Sequence, residues 1–151
     1  MSERVVRIGG ASGFWGDTAM SAPQLVRGAQ IDYLVFDYLA EVTMSILASQ
    51  RLKDPSAGYA TDFVHITMKA LLPDLVARKV RVVANAGGVN PLACRDALAK
   101  VAQALGVPLK IGVVLGDEIS ALVPSLRERD VREMFGGEPM LALEKLEEPL
   151  K

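Results

Sequence analysis

Asp37 and Glu41 stand four residues apart, where the apolar run Tyr33-Leu-Val-Phe36 gives way to a helix-like stretch. Two carboxylates so spaced at a strand–helix junction can face one cavity. There they could hold Mg²⁺ with its retained waters, accept substrate hydroxyls, or divide acid and base roles if burial separates their pKa values. The competing structural reading makes Glu41 a first-turn acid favoured by the helix dipole and Asp37 its cap. A second cluster is Asn85-Ala-Gly-Gly-Val-Asn-Pro91. The Asn85 amide could orient a carbonyl, while Gly87 and Gly88, with Asn90 beside them, expose donors suited to an oxyanion. The alternative is a loop needing left-handed backbone angles, which Gly and Asn tolerate best, but it is longer than a minimal turn. The third cluster is Ile8-Gly-Gly-Ala-Ser-Gly-Phe-Trp-Gly-Asp17. Its Gly10 and Gly13 let backbone N–H groups approach an anion ahead of a helix, and Ser12 and Asp17 add a hydroxyl and an acid.

The remaining reactive side chains narrow the chemistry. The chain has a single histidine, His65, which sits with Lys69 at helical spacing on the flank of an apolar stripe, so a surface position is expected. Ser12 therefore lacks a base for a Ser–His–acid triad. Cys94 falls one turn inside a helix, where a small buried residue is the expectation and a low-pKa thiolate the alternative. One Cys and one His exclude a metal site built from those ligands. Asp117 reads as a helix cap. Trp15, at the rim of the first loop, either stacks on a ligand or packs on the sheet edge.

Four short apolar runs must position these groups: Val5 to Ile8, Tyr33 to Phe36, Val80 to Val83 and Leu109 to Val114. Each precedes helix-like sequence, which predicts an α/β fold with a parallel sheet of about four strands and alternating helices in a Rossmann-like three-layer arrangement. In such sheets ligands bind beyond the carboxyl ends of the strands. Helices are predicted from Thr18 to Gln30, from Glu41 to Lys53 before Asp54-Pro55, and from Thr61, as N-cap, to Arg78. Pro73 should kink or split the last of these. Pro91 opens a further helix that Gly106 closes, and Ile119 to Arg129 forms a shorter one with Pro124 in its middle. Residues 1–130 read as the α/β domain. Residues 131–151 read as a weakly structured tail in which Leu141 to Leu146 makes a helical turn or two. Unpaired sheet edges point to an oligomer or to part of a larger unit.

Composition sets the outer bounds. At 151 residues, half of them apolar and 23% charged, the chain is long enough for one globular domain with a real core. A net charge of -1 with scattered basic residues leaves no footprint for nucleic acid. No apolar run reaches the roughly 20 residues that span a bilayer. The opening Met-Ser-Glu-Arg has no secretory pattern, and a lone cysteine suits a reducing compartment, so a cytoplasmic location is expected.

The segments Ile8 to Asp17, Asp32 to Ser45 and Val82 to Pro91, with Gly58-Tyr-Ala-Thr-Asp-Phe63, together resemble the N-terminal region of the acyclic terpene utilisation (AtuA-type) family. The resemblance runs from about Val5 to Glu118 and departs after Asp130; members of that family are much longer. It implies a cytoplasmic, bacterial-type protein of branched acyclic terpenoid breakdown (citronellol, geraniol), which proceeds through acyl-CoA intermediates. The expected partner is then a small molecule, a CoA thioester or related carboxylate. Its anionic end would lie on the Gly-rich loops, with Asp37, Glu41 and Asn85 near the reacting carbon. Lyase or hydratase chemistry suits such a substrate without a redox residue. An NAD(P)-binding oxidoreductase is the alternative: Gly10, Gly13 and Gly16 precede a helix and Asp37 follows the second strand. However, the glycines are not spaced as G-x-G-x-x-G, and no Tyr-x-x-x-Lys follows Asn85-Ala-Gly. A non-catalytic subunit that completes its site with a partner chain is the third reading.

Overall fold

The computed structural model describes residues 5–139. Its sheet has three parallel strands in sequential order: β1 (Ile8–Ser12), β2 (Tyr33–Phe36) and β3 (Arg81–Ala84). The α/β class and the parallel sense are as the sequence predicts. The first strand, however, lies later than the apolar run suggests. Gly9 and Gly10 belong to β1, and the loop begins only at Gly13. The reason is packing: a Cβ on Gly9 would come within 3.3 Å of the Leu25 methyls on α1 (Ser21–Gly28), so the bare backbone lets that helix settle close. The register slips between Gly10 and Ser12, a bulge at Ala11 that re-aims Ser12 at the strand end.

Alternation along the strands separates two faces. Gly9, Ala11, Leu34 and Phe36 are buried under the helices, whereas Ile8 and Val83 on the opposite face are 66% and 54% exposed. Successive right-handed crossovers that step across a sheet in one direction put their helices on one side. In the first unit the strands and their connecting helices thus place one helical layer on the sheet, and the expected three-layer arrangement is not seen among the described residues. The fourth strand is also absent from the described residues. Residues 109–114 alternate half-buried (Leu109, Ile111, Val113) and exposed (Lys110, Gly112, Val114), and Leu109 and Ile111 pack on the core. The segment meets the core by side chains without joining the ladder, and Gly112 at its centre weakens strand formation.

The α2 helix (Glu41–Lys53) has the predicted limits. The long helix after it is not split at Pro73: residues 61–78 are continuously helical, with a π-helical turn (Phe63–Met68) running into α3 (Lys69–Arg78), which contains the proline. Thr61 is already helical and so is not the cap. The next helix, α4 (Pro91–Ala104), starts with proline in its first turn and is followed by Gly106 at φ 65°. Under β2, Phe36, Tyr38 and Phe63 meet edge to face with ring centroids 5.3 to 6.0 Å apart.

The chain divides into two compact units after Val114. Within the second, a short turn (Ser120–Leu122) leads into α5 (Val123–Glu128), and Pro124 sits in its first turn, where proline is tolerated, instead of breaking its middle. Arg132 and Pro139 form an isolated bridge across a turn. The predicted helical turns from Leu141 to Leu146 lie outside the described residues. No helix among the described residues is long and apolar enough to cross a membrane.

Candidate functional site

Because the three strands are parallel, Ser12, Asp37 and Asn85 follow them out at one edge of the sheet. Asn85 and Asp37 are in contact: the Asn85 Nδ2 amide donates to Asp37 Oδ1 at 2.7 Å. Asn85 Oδ1 accepts the Tyr38 N–H at 2.7 Å, so this one side chain stitches the ends of β2 and β3 together. The Asn85 amide expected to orient a ligand carbonyl is thus engaged within the protein at both its nitrogen and its oxygen, and Asn85 acts as the holder of Asp37. Asp37 is exposed and does not cap α2, whose N-cap is Ala40, without a side-chain bond. Its second carboxylate oxygen has no partner among the described residues and faces solvent. Ser12 Oγ is buried without a hydrogen-bond partner among the described residues. An unmatched buried hydroxyl costs about 1–3 kcal/mol unless a water or ligand meets it. The Ser12 and Asp37 backbones adjoin, the Asp37 N–H donating to Ser12 O at 3.4 Å, with the hydroxyl buried and the carboxylate exposed.

Glu41 lies in the first turn of α2, exposed, with no hydrogen bond to Asp37, in the position that the dipole favours. The glycines of the Asn85 loop are packing residues. A Cβ on Gly87 would meet Pro91 Cβ at 2.8 Å, and one on Gly88 would meet Leu47 Cδ1 at 2.4 Å. Asn90 caps α4 by accepting Ala93 N–H at 3.4 Å, and its Nδ2 donates to Pro55 O and Ala57 O at 2.9 and 2.8 Å. In the first loop Asp17 Oδ2 accepts the Gly13 N–H at 3.0 Å, while Gly10 has open space above it. The structure thus brings Asp37 and Asn85 together beside Ser12 and gives Gly87, Gly88 and Asn90 internal roles. Among the described residues no group of three or more His, Cys, Asp or Glu side chains is placed to hold a metal ion.

Two residues carry more than their spacing revealed. Tyr38 is buried, and its phenol is pushed up by burial and then by the Asp62 charge, partly offset by a Thr67 hydrogen bond. Asp62 also accepts the Trp15 indole N–H at 2.7 Å. This pairing joins the first loop to the π-helical turn across 47 residues of sequence. Local patterning carries no signal for so distant a contact. His65 is exposed, as expected.

Cys94 takes the buried alternative, and burial pushes its thiol up to about 11. The neutral thiol therefore persists until pH rises through that range, and the nucleophilic thiolate is scarce at pH 8. Iodoacetamide at pH 8 is expected to label Cys94 slowly in the native protein and rapidly in urea. Fast native labelling, followed by mass spectrometry, would contradict the burial.

An exposed carboxylate, held by an amide clasp, stands at the carboxyl edge of a parallel sheet, the edge at which open α/β sheets bind their ligands. The family model described as acyclic terpene utilisation family protein AtuA matches residues 6–150. The chain belongs to that family, which links it to acyclic terpene utilisation. Comparison with curated proteins and with solved structures gave no match.

Proposed function

We propose that this domain binds, and in the assembled protein transforms, an oxygenated branched intermediate of acyclic terpene breakdown, an acyl-CoA or related carboxylate. The observation that carries the reading is the Asp37–Asn85 pair beside the unmatched Ser12 hydroxyl at three parallel strand ends. In this reading Asp37 accepts a substrate hydroxyl or takes its proton, Asn85 fixes the carboxylate, and Ser12 donates to a carbonyl oxygen. Lyase or hydratase chemistry needs those roles and no redox group from the protein. Glu41 stands one helical turn from Asp37 and supplies charge at the mouth of the site. A bound Mg²⁺ would find one free carboxylate oxygen on Asp37 and would rely on waters for the rest of its shell.

A second reading has its own observation. The face of the sheet opposite α1 exposes Ile8 and Val83, which suits a subunit that buries this face, and completes its site, against another chain. A thermal-shift panel of branched acyl-CoA thioesters, NAD(H), NADP(H) and Mg²⁺ tests the first reading. A thioester at a hundred times its dissociation constant is expected to stabilise the fold by about 2.7 kcal/mol. A response to NAD(H) alone would favour the oxidoreductase reading, and no response to any arm would favour the incomplete subunit.

A further inference from the structure

The first loop turns several of its backbone N–H groups inward and an aromatic ring outward. An anion cradle needs free backbone N–H groups at the mouth of the loop and the start of the helix. Here the Gly13 N–H is taken by the Asp17 carboxylate at 3.0 Å, and the Met20 N–H by Thr18 Oγ1 at 3.1 Å. A carboxylate seated on the loop also repels an incoming anion. What the loop offers outward instead is aromatic. Phe14 is 55% exposed, and Trp15 beside it is half-buried with its ring against the core. Trp15 is not free to swing. Its indole N–H donates to Asp62 Oδ1 at 2.7 Å, and its backbone N–H donates to Tyr38 O at 3.2 Å, next to Asp37. A rigid indole and an exposed phenyl ring therefore flank the carboxyl edge where Asp37 stands.

We propose that Phe14 and Trp15 form an apolar lip that receives the alkyl chain of the ligand, and that Asp62 is the positioning residue that holds Trp15 in place. This rests on the reading of the carboxyl edge as the ligand site, and adds to it which part of the ligand the first loop meets. A charge-assisted bond to the carboxylate is stronger than one to a neutral acceptor, and Asp62 lies at the entry to the π-helical turn. The lip is thereby tied to the helical layer.

Trp15 is the only tryptophan, so its emission and its indole ¹H–¹⁵N signal report the lip without a label. The probes are 4-methyl-1-octanol, which carries an alkyl chain and a hydroxyl for Asp37, and pyrophosphate, which carries charge alone. The branched alcohol is expected to shift the emission of the wild-type chain to the blue, and pyrophosphate to leave it unchanged. Phe14→Ala should weaken the alcohol about tenfold, the loss expected for part of one buried phenyl ring. Without any ligand, Asp62→Ala should move the emission to the red, while Asp62→Asn, which keeps an acceptor for the indole, should leave it near wild type. If Asp62→Ala does not fold, the wild-type chain answers alone. An indole held by Asp62 resists acrylamide and exchanges its proton slowly, and one that is quenched and exchanges freely overturns the latch. A response to pyrophosphate in place of the alcohol overturns the lip in favour of an anion cradle. Alcohol binding seen by thermal shift and weakened in Asp37→Asn, but silent at Trp15 and Phe14, overturns the lip and leaves the edge site standing. No binding of either probe overturns both.

Discussion

Gly88→Ala is expected to destabilise the first unit by about 3 kcal/mol, the sum of a left-handed backbone penalty of about 1 and an overpacking cost of about 2. Gly88 has φ +52°, and a Cβ there would lie 2.4 Å from Leu47 Cδ1 and 2.8 Å from Gly58 O. Leu47 is fully buried, and Gly58 O accepts the Val89 N–H at 3.0 Å, so neither neighbour yields cheaply. Gly58 is itself at φ +99° with Arg51 and Val89 side chains at 3.0 Å from where its Cβ would be. Three segments thus meet closely: Leu47 and Arg51 side chains of α2 press on the loop after it and on the Asn85 loop, whose backbones adjoin. In thermal unfolding the loss should lower Tm by about 10 °C. Gly10→Ala is the control: nothing lies within 4 Å of its Cβ and its φ is not positive, so Tm should hardly move. Equal melting of the two variants would mean that the three segments do not pack this way.

The sequence made legible what depends on neighbours along the chain. The limits of α2 follow from its apolar spacing and the Asp54-Pro55 stop, and Pro91 and Gly106 mark α4 because each suits its end of a helix. The edge on which Asp37, Asn85 and Ser12 gather follows from parallel strands alone. What depended on distant contacts was not legible. Gly9 reads as a loop residue until Leu25 is seen against it, and Asn90 as a donor to a ligand until Pro55 and Ala57 claim its amide. The run from Leu109 to Val114 has strand composition, but pairing needs an accessible partner edge and a register, and neither is written in composition. The link between Trp15 and Asp62 depends on the whole fold and left no local trace.

Asp37→Asn is expected to leave the fold intact and to weaken binding of a hydroxylated branched acyl-CoA by about ten- to a hundredfold. Asparagine keeps an oxygen for the Asn85 Nδ2 amide, now 2.7 Å from Asp37 Oδ1, so the clasp between β2 and β3 survives. With a solvent-facing side chain and no capping role to lose, the stability change should stay within about 0.5 kcal/mol. What disappears is the charge. A hydrogen bond to an ionised group contributes about 1.5–3 kcal/mol, which sets the loss in affinity, and any proton transfer to Asp37 stops as well. Asn85→Leu separates holder from held. It strands the Tyr38 N–H and should cost about 1–3 kcal/mol of stability, and it also lowers affinity by releasing Asp37. Isothermal titration together with thermal unfolding of both variants reads the two effects independently. Wild-type affinity in Asp37→Asn at an unchanged Tm would reduce Asp37 to the structural partner of Asn85. The chemistry would then have to move to the Ser12 hydroxyl, whose unmatched oxygen is the other polar group at this edge in want of a ligand.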